Sequence, residues 1–139
     1  MTPALRPLPR VVLTYGCFDG LHQDQIAFLR DISRLGDEII VGCATDALAE
    51  ALGRPCRYPF ETRRAVLQGC RYVGRVIPQI DPAQMRTDIV NYDAAAVAIS
   101  AQDADLFEDV QDIAQIYISP RNFDLEVVSM RNALSQTVA

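Results

Sequence analysis

The chain alternates short apolar, β-branched runs with segments whose apolar residues recur every three or four positions, and that alternation leaves few folds open. RVVLTY (10–15) and DEIIVGCA (37–44) have the character of buried strands, and YVGRVIP (72–78), stopped by Pro78, AAAVAIS (94–100) and QIYIS (115–119) read as further strands. After the first, Ile26, Phe28, Leu29, Ile32 and Leu35 make one buried stripe of a helix, with Gly36 placed to cap its end. DALAEAL (46–52) reads as a helix broken by Gly53-Arg54-Pro55. Pro59 opens a helix to about Cys70, and PAQMRTDIVNY (82–92) is another, each with proline near the first turn where its missing N–H costs nothing. A final helix is expected from about Glu126. Strands and helices alternating at these lengths predict an α/β fold with a mainly parallel sheet, covered on both faces and joined by right-handed crossovers.

With 139 residues, half of them apolar, the chain holds one core, expected as a single domain over 10–139 behind a loose arm at 1–9. The arm has no apolar stretch of the kind a signal peptide carries, and no run approaches the ~20 residues that cross a bilayer. The four cysteines, Cys17, Cys43, Cys56 and Cys70, form no CxxC pair and have a single histidine for company. A metal site is therefore not expected, and reduced thiols in a cytoplasmic protein are. The net charge of −5 argues against nucleic-acid binding. That charge is uneven: between Arg54 and Arg75 six arginines face one acid, Glu61, so the segment is +5 and the remainder −10. Such a segment suggests a local anion site; the other reading is a solvated helix face.

In a parallel sheet of this kind ligands sit beyond the carboxyl ends of the strands, which points to the loops 16–25, 100–106 and 119–126. The first reads YGCFDGLHQDQ (15–25). Gly16 and Gly20 would let backbone approach a bulky anion, and a helix starting near His22 would offer unpaired N–H groups and the positive end of its dipole.

YGCFDGLHQDQ resembles the nucleotidyltransferase signature YGTFDxxHxGH of cytidylyltransferases that activate phospho-alcohols. The likeness extends over about residues 10 to 131: ATDALAEALGRPCRYPFETRRAVLQGCRYVGRVIP, DIVNYDAAAVAIS and IYISPR are similar to segments of the glycerol-3-phosphate cytidylyltransferase family. The resemblance implies a Rossmann-like parallel sheet of five strands, the HIGH-type nucleotidyltransferase fold, and usually a homodimer. It implies catalytic roles for His22, Gln25 and Arg63. It further implies nucleotide or phosphate contacts from Tyr15, Gly16, Phe18, Asp19, Arg54 and Arg121. No protein-held metal is expected; if the site is active, Mg²⁺ is expected with Asp24 or Asp19. In the family two histidines of HxGH contact the CTP triphosphate, and the phosphate of the second substrate attacks the α-phosphorus in line.

The departures from the family fall on the site. Gln25 stands at the second histidine and Asp24 at the glycine; LEVV (125–128) replaces the hydroxyl-bearing ISTT, and SAQD (100–103) the GDDW-like stretch. Nucleotidyl transfer relies on positioning and charge stabilisation, so each lost donor costs ~10² to 10³ in rate. Asp24 and Glu126 add negative charge where phosphate would sit. His22 can also be read as a structural residue of a tight turn, and Asp19 as a backbone-binding turn residue. The expectation is a catalytically weak or inactive relative keeping a nucleotide-, phosphate- or partner-binding role. The alternative is an active enzyme transferring CMP from CTP to a phospho-alcohol such as glycerol 3-phosphate. Expected ligands are a nucleoside triphosphate, CTP favoured, or a phosphorylated small molecule, with neither nucleic acid nor membrane.

Overall fold

The computed structural model describes residues 10–119. The expected arm at 1–9, Arg121, the LEVV segment and the last helix lie outside the described residues. Five strands form where the apolar runs lie: β1 (Val11–Gly16), β2 (Glu38–Ala44), β3 (Arg75–Gln79), β4 (Ala94–Ser100) and β5 (Gln115–Ser119). All four pairings are parallel, and the order across the sheet is β3-β2-β1-β4-β5. Between them run α1 (Gln23–Ile32), α2 (Asp46–Ala51), α3 (Phe60–Gln68) and α4 (Met85–Tyr92).

Strand alternation divides the core into two layers. Leu13, Tyr15, Val97 and Ile99 face Met85 and Ile89 of α4. Val12, Val41, Ala96 and Ala98 face Phe28, Leu29 and Ile32 of α1 and Leu67 of α3. Helices thus cover both faces of a Rossmann-like sheet, as the alternating sequence predicts. Phe28 and Leu29 are fully buried, and each such side chain stabilises the fold by about 2 kcal/mol. From β1 the chain winds outward through β2 to β3, then returns through α4 to lay β4 on the other side of β1. The order reverses between β1 and β4, so a crevice opens above their carboxyl ends.

Three local expectations need correction. Ile26 is 40% exposed and Gln25 takes its place on the buried stripe, with Phe28, Leu29 and Ile32 at the i+3, i+4 and i+7 positions. Gly36 has extended backbone, φ −166°, not a left-handed cap; a Cβ there would lie 2.6 Å from the Arg10 carbonyl oxygen, so close approach of β1 is what excludes a side chain. Helices end in the left-handed region instead at Gly53, φ 74°, after α2 and at Asp93, φ 51°, after α4. Pro78 sits inside β3 instead of stopping it, paired with Cys43. β3 is the sheet edge, where a missing N–H breaks no ladder.

Candidate functional site

The turn after β1 is shaped from within. Phe18 holds φ 50°, an uncommon conformation for a bulky residue, and Gly20 φ 77°. The Phe18 ring folds beneath Gly16 so closely that a Cβ at Gly16 would lie 2.9 Å from Phe18 Cε2. A strained non-glycine residue costs of order 1–3 kcal/mol and persists where its surroundings hold it; here Phe18 is buried in the core layer under α1. His22 caps α1 in extended backbone, and its N–H donates to Gln25 Oε1 at 2.8 Å. This is the glutamine arm of a capping box. The group Gln25 can offer an anion is therefore its amide NH₂. Asp24, exposed in the first turn of α1, is favourably placed against the helix dipole when no phosphate is there.

A second loop, between α2 and α3, is drawn onto the turn by Asp19. Its two carboxylate oxygens accept the backbone N–H groups of Arg57 at 2.7 Å and Tyr58 at 2.9 Å. The backbone-binding reading of Asp19 thus describes its contacts, although the backbone belongs to a different loop.

Arg63 of α3 is 1% exposed. Its Nε donates to the Tyr58 carbonyl at 2.9 Å, Nη1 to the carbonyls of Cys17 at 2.9 Å and Ala44 at 2.7 Å, and Nη2 to Asp46 Oδ1 at 2.8 Å. The guanidinium therefore joins the β1 turn, the end of β2, α2 and α3 from below. It lies beneath the cavity described next and does not line it, whereas the resemblance implies a catalytic role for it. Asp46 is exposed, and the hydrogen bond from Arg63 holds its carboxyl below the usual carboxylate range.

The third element is the 3₁₀ turn Ala101–Leu106 after β4, which carries Asp103. Asp103 is 6% exposed and accepts Arg54 Nη1 in an ion pair. Together the three loops enclose a cavity of about 430 Å³, lined by Gly16, Cys17, Phe18, Asp19, His22 and Gln25, by Arg54, Pro55 and Cys56, and by Gln102 and Asp103. It lies at the strand-order reversal where fold geometry places it.

Six of the nine residues nominated from sequence converge there: Gly16, Phe18, Asp19, His22, Gln25 and Arg54. Arg63 lies beneath and Arg121 outside the described residues. Tyr15 is on the opposite face of the sheet, 3% exposed, its hydroxyl donating to Asp88 Oδ2 at 2.9 Å and its ring 5.5 Å from that of Phe107. Burial, reinforced by Asp88, pushes its hydroxyl pKa up.

Cys56 and Asp103 were not nominated; the only sequence signal was that both lie in segments the site was expected to draw on. Burial pushes the Cys17 thiol up to about 12 and Cys43 up to about 11. Both are neutral at physiological pH, hence poor nucleophiles. None of the four cysteines is in a disulfide.

The basic segment also resolves into individual partners. Arg63 pairs with Asp46, Arg64 with Glu61 and Arg75 with Glu38, while Arg71 and Arg75 also lie over the rings of Tyr72 and Tyr92. Arg54 alone of the six lines the cavity.

The fold and its crevice define a Rossmann-like, nucleotidyltransferase-type domain. A model of the cytidylyltransferase-like family matches residues 13–134, and the chain belongs to that family. It is 26% identical over 124 residues to glycerol-3-phosphate cytidylyltransferase of Bacillus subtilis (strain 168), covering 89% of this chain and 96% of the relative. A shorter match, 42% identical over 72 residues, is to the bifunctional protein HldE of Vibrio vulnificus (strain YJ016), covering 50% of this chain and 15% of that one. In fold, the chain is similar to a lipopolysaccharide core biosynthesis protein from Thermoplasma volcanium GSS1, with a TM-score of 0.71 at 20% identity over 83% of this chain and 99% of that one. No described helix is long and apolar enough to cross a membrane.

Proposed function

We propose that this cytidylyltransferase-like protein binds a nucleotide, CTP favoured, or a phosphorylated small molecule in the crevice above β1, and is catalytically weak or inactive. The supporting observation is the prior commitment of the groups that would hold phosphate. Arg54 pairs with Asp103 and Arg63 is buried among carbonyls, while Asp19, an acceptor only, adds negative charge to the lining. Catalysis by charge stabilisation needs donors aimed at the reacting phosphoryl group, and each one missing lowers the rate by ~10² to 10³. His22 and the Gln25 amide remain on the cavity wall, which supports binding more than turnover.

The second reading is an active nucleotidyltransferase transferring CMP from CTP to a phospho-alcohol such as glycerol 3-phosphate, with pyrophosphate released. The convergence of His22, Gln25 and Arg54 on one cavity favours it. Of the lining carboxylates, Asp19 has each oxygen accepting an N–H group and Asp103 is paired with Arg54, so neither stands free for a resident magnesium ion. Under this reading Mg²⁺ arrives as the complex of the triphosphate.

Incubation with CTP, glycerol 3-phosphate and Mg²⁺ separates the two. The first reading expects pyrophosphate at, or only slightly above, the rate of the protein-free control; robust release over many turnovers, abolished by His22→Ala, establishes the second. The proposal includes self-association, supported by resemblance and by the exposed Ile80 and Val90, each 69% accessible. Light scattering is expected to give twice the 15.4 kDa chain mass. It also includes a cytoplasmic location, with which the four reduced cysteines accord.

A further inference from the structure

We propose that Asp103 is a specificity-determining residue of the cavity: its carboxylate accepts from Nη1 of Arg54 and answers the guanidinium's charge, so that a phosphoryl ligand competes with Asp103 for that arginine. The inference rests on the anion-binding reading of the crevice.

The ion pair spans the end of β1. Arg54 follows α2 on the β2 side, whereas Asp103 opens the turn after β4, and β1 lies between those two strands in the sheet. The pair therefore bridges the strand-order reversal where the cavity sits, and both partners line it. Their exposures differ: the Arg54 side chain is 36% accessible and that of Asp103 8%. The guanidinium can thus be reached by a ligand while the carboxylate stays within the protein.

Charge balance makes the consequence specific. Among the described residues that line the cavity, Arg54 is the one arginine and Asp19 and Asp103 are the acids. While the pair is closed, the arginine's charge is answered from inside, and the crevice presents little net attraction to an anion. A phosphoryl ligand must outcompete a carboxylate that is already positioned and already desolvated. Once Arg54 turns to the ligand, Asp103 is left a buried charge without its cation, a costly state unless the ligand supplies a hydrogen-bond donor. The pair thus discriminates against bare anions and in favour of phosphorylated ligands that carry a donor beside the phosphoryl group. It filters ligands by chemistry, beyond simply attracting charge.

Merely orienting Arg54 would be a different role for Asp103, and the two roles predict opposite signs. The probe is inorganic pyrophosphate, titrated calorimetrically without magnesium into the full chain, its Asp103→Asn variant and the Arg54→Gln/Asp103→Asn double variant. Relief of competition by a carboxylate a few ångströms away predicts tighter binding to Asp103→Asn by roughly ten-fold or more. That gain is expected to vanish in the double variant. Equal or weaker binding by Asp103→Asn, no binding by either protein, or a gain that survives without Arg54 overturns the proposal. Asp103→Ser carries the same expectation if the asparagine variant does not fold, with melting curves as the check. A separate CTP titration isolates the underlying reading. Wild-type protein indifferent to CTP, beside an Asp103→Asn variant that takes up pyrophosphate through Arg54, retires nucleotide binding and leaves the filter standing.

Discussion

At the scale of single residues, the side chains around β1 are held by what they would collide with or leave unpaired. Gly42 faces Tyr15 so closely that a Cβ would sit 2.4 Å from Tyr15 Cδ1, and Tyr15 is fixed by its hydrogen bond to Asp88. Gly42→Ala is accordingly expected to destabilise the fold by about 1–3 kcal/mol, the usual range for overpacking, as read by denaturant unfolding. An unchanged midpoint would mean Tyr15 has room to move. Asp19 supports a second expectation. Asp19→Asn keeps one acceptor oxygen but turns an NH₂ toward a backbone N–H, so the loop carrying Arg57 and Tyr58 should loosen. Faster amide exchange at those two residues, with the strands unaffected, is the result to look for. Residue roles were the least legible part of the sequence. A motif shows that Tyr15 and Arg63 stand beside a site, but not which way a side chain points. Strand alternation sends Tyr15 to the far face, and three carbonyls draw Arg63 beneath the turn.

At the scale of elements, Arg63 is the joint that holds the site's supports together. Removing its guanidinium leaves the carbonyls of Tyr58, Cys17 and Ala44 without their donor. Each unsatisfied buried acceptor costs about 1–3 kcal/mol, so Arg63→Met is expected to lose about 3 kcal/mol or more. A loss below about 1 kcal/mol would show that water or a neighbour replaces it. The Asp46 end of the same joint brings a pH dependence. Its folded pKa is lowered by Arg63, so its contribution is present above the ordinary carboxylate pKa and disappears as pH falls through the lower folded value. The Tm gap between wild type and Asp46→Asn should therefore be open at pH 7 and close below about pH 4; a constant gap would contradict the linkage. Element positions were far more legible than residue roles, because periods of two and of 3.6 follow from backbone geometry alone. The misread places are those where tertiary contact decides: Gly36 against Arg10, Pro78 on an open edge, and Gln25 on the buried stripe of α1.

At the scale of the whole molecule, strand order and charge act together. The β3-β2-β1-β4-β5 order opens one crevice above β1, and three loops close around it. Two of its loops, 16–25 and 100–106, were readable from the alternation of strands and helices; the loop carrying Arg54 was not among those the alternation points to, and 120–126 lies outside the described residues. The electrostatics were not readable: a +5 segment in the sequence becomes, in the fold, mostly local pairings, with one arginine at the cavity and that one paired to Asp103. Linear charge counts carry no information about which guanidinium meets which carboxylate across forty-nine residues of chain. The central claim, that this crevice still receives a phosphorylated nucleotide, is tested most directly by calorimetric titration of the protein with CTP in the presence of Mg²⁺, repeated with His22→Ala. Saturable binding that weakens by about ten-fold or more in the variant, the scale of one charge-assisted contact, is the predicted result. No heat at millimolar CTP, or binding indifferent to the loss of His22, would contradict it.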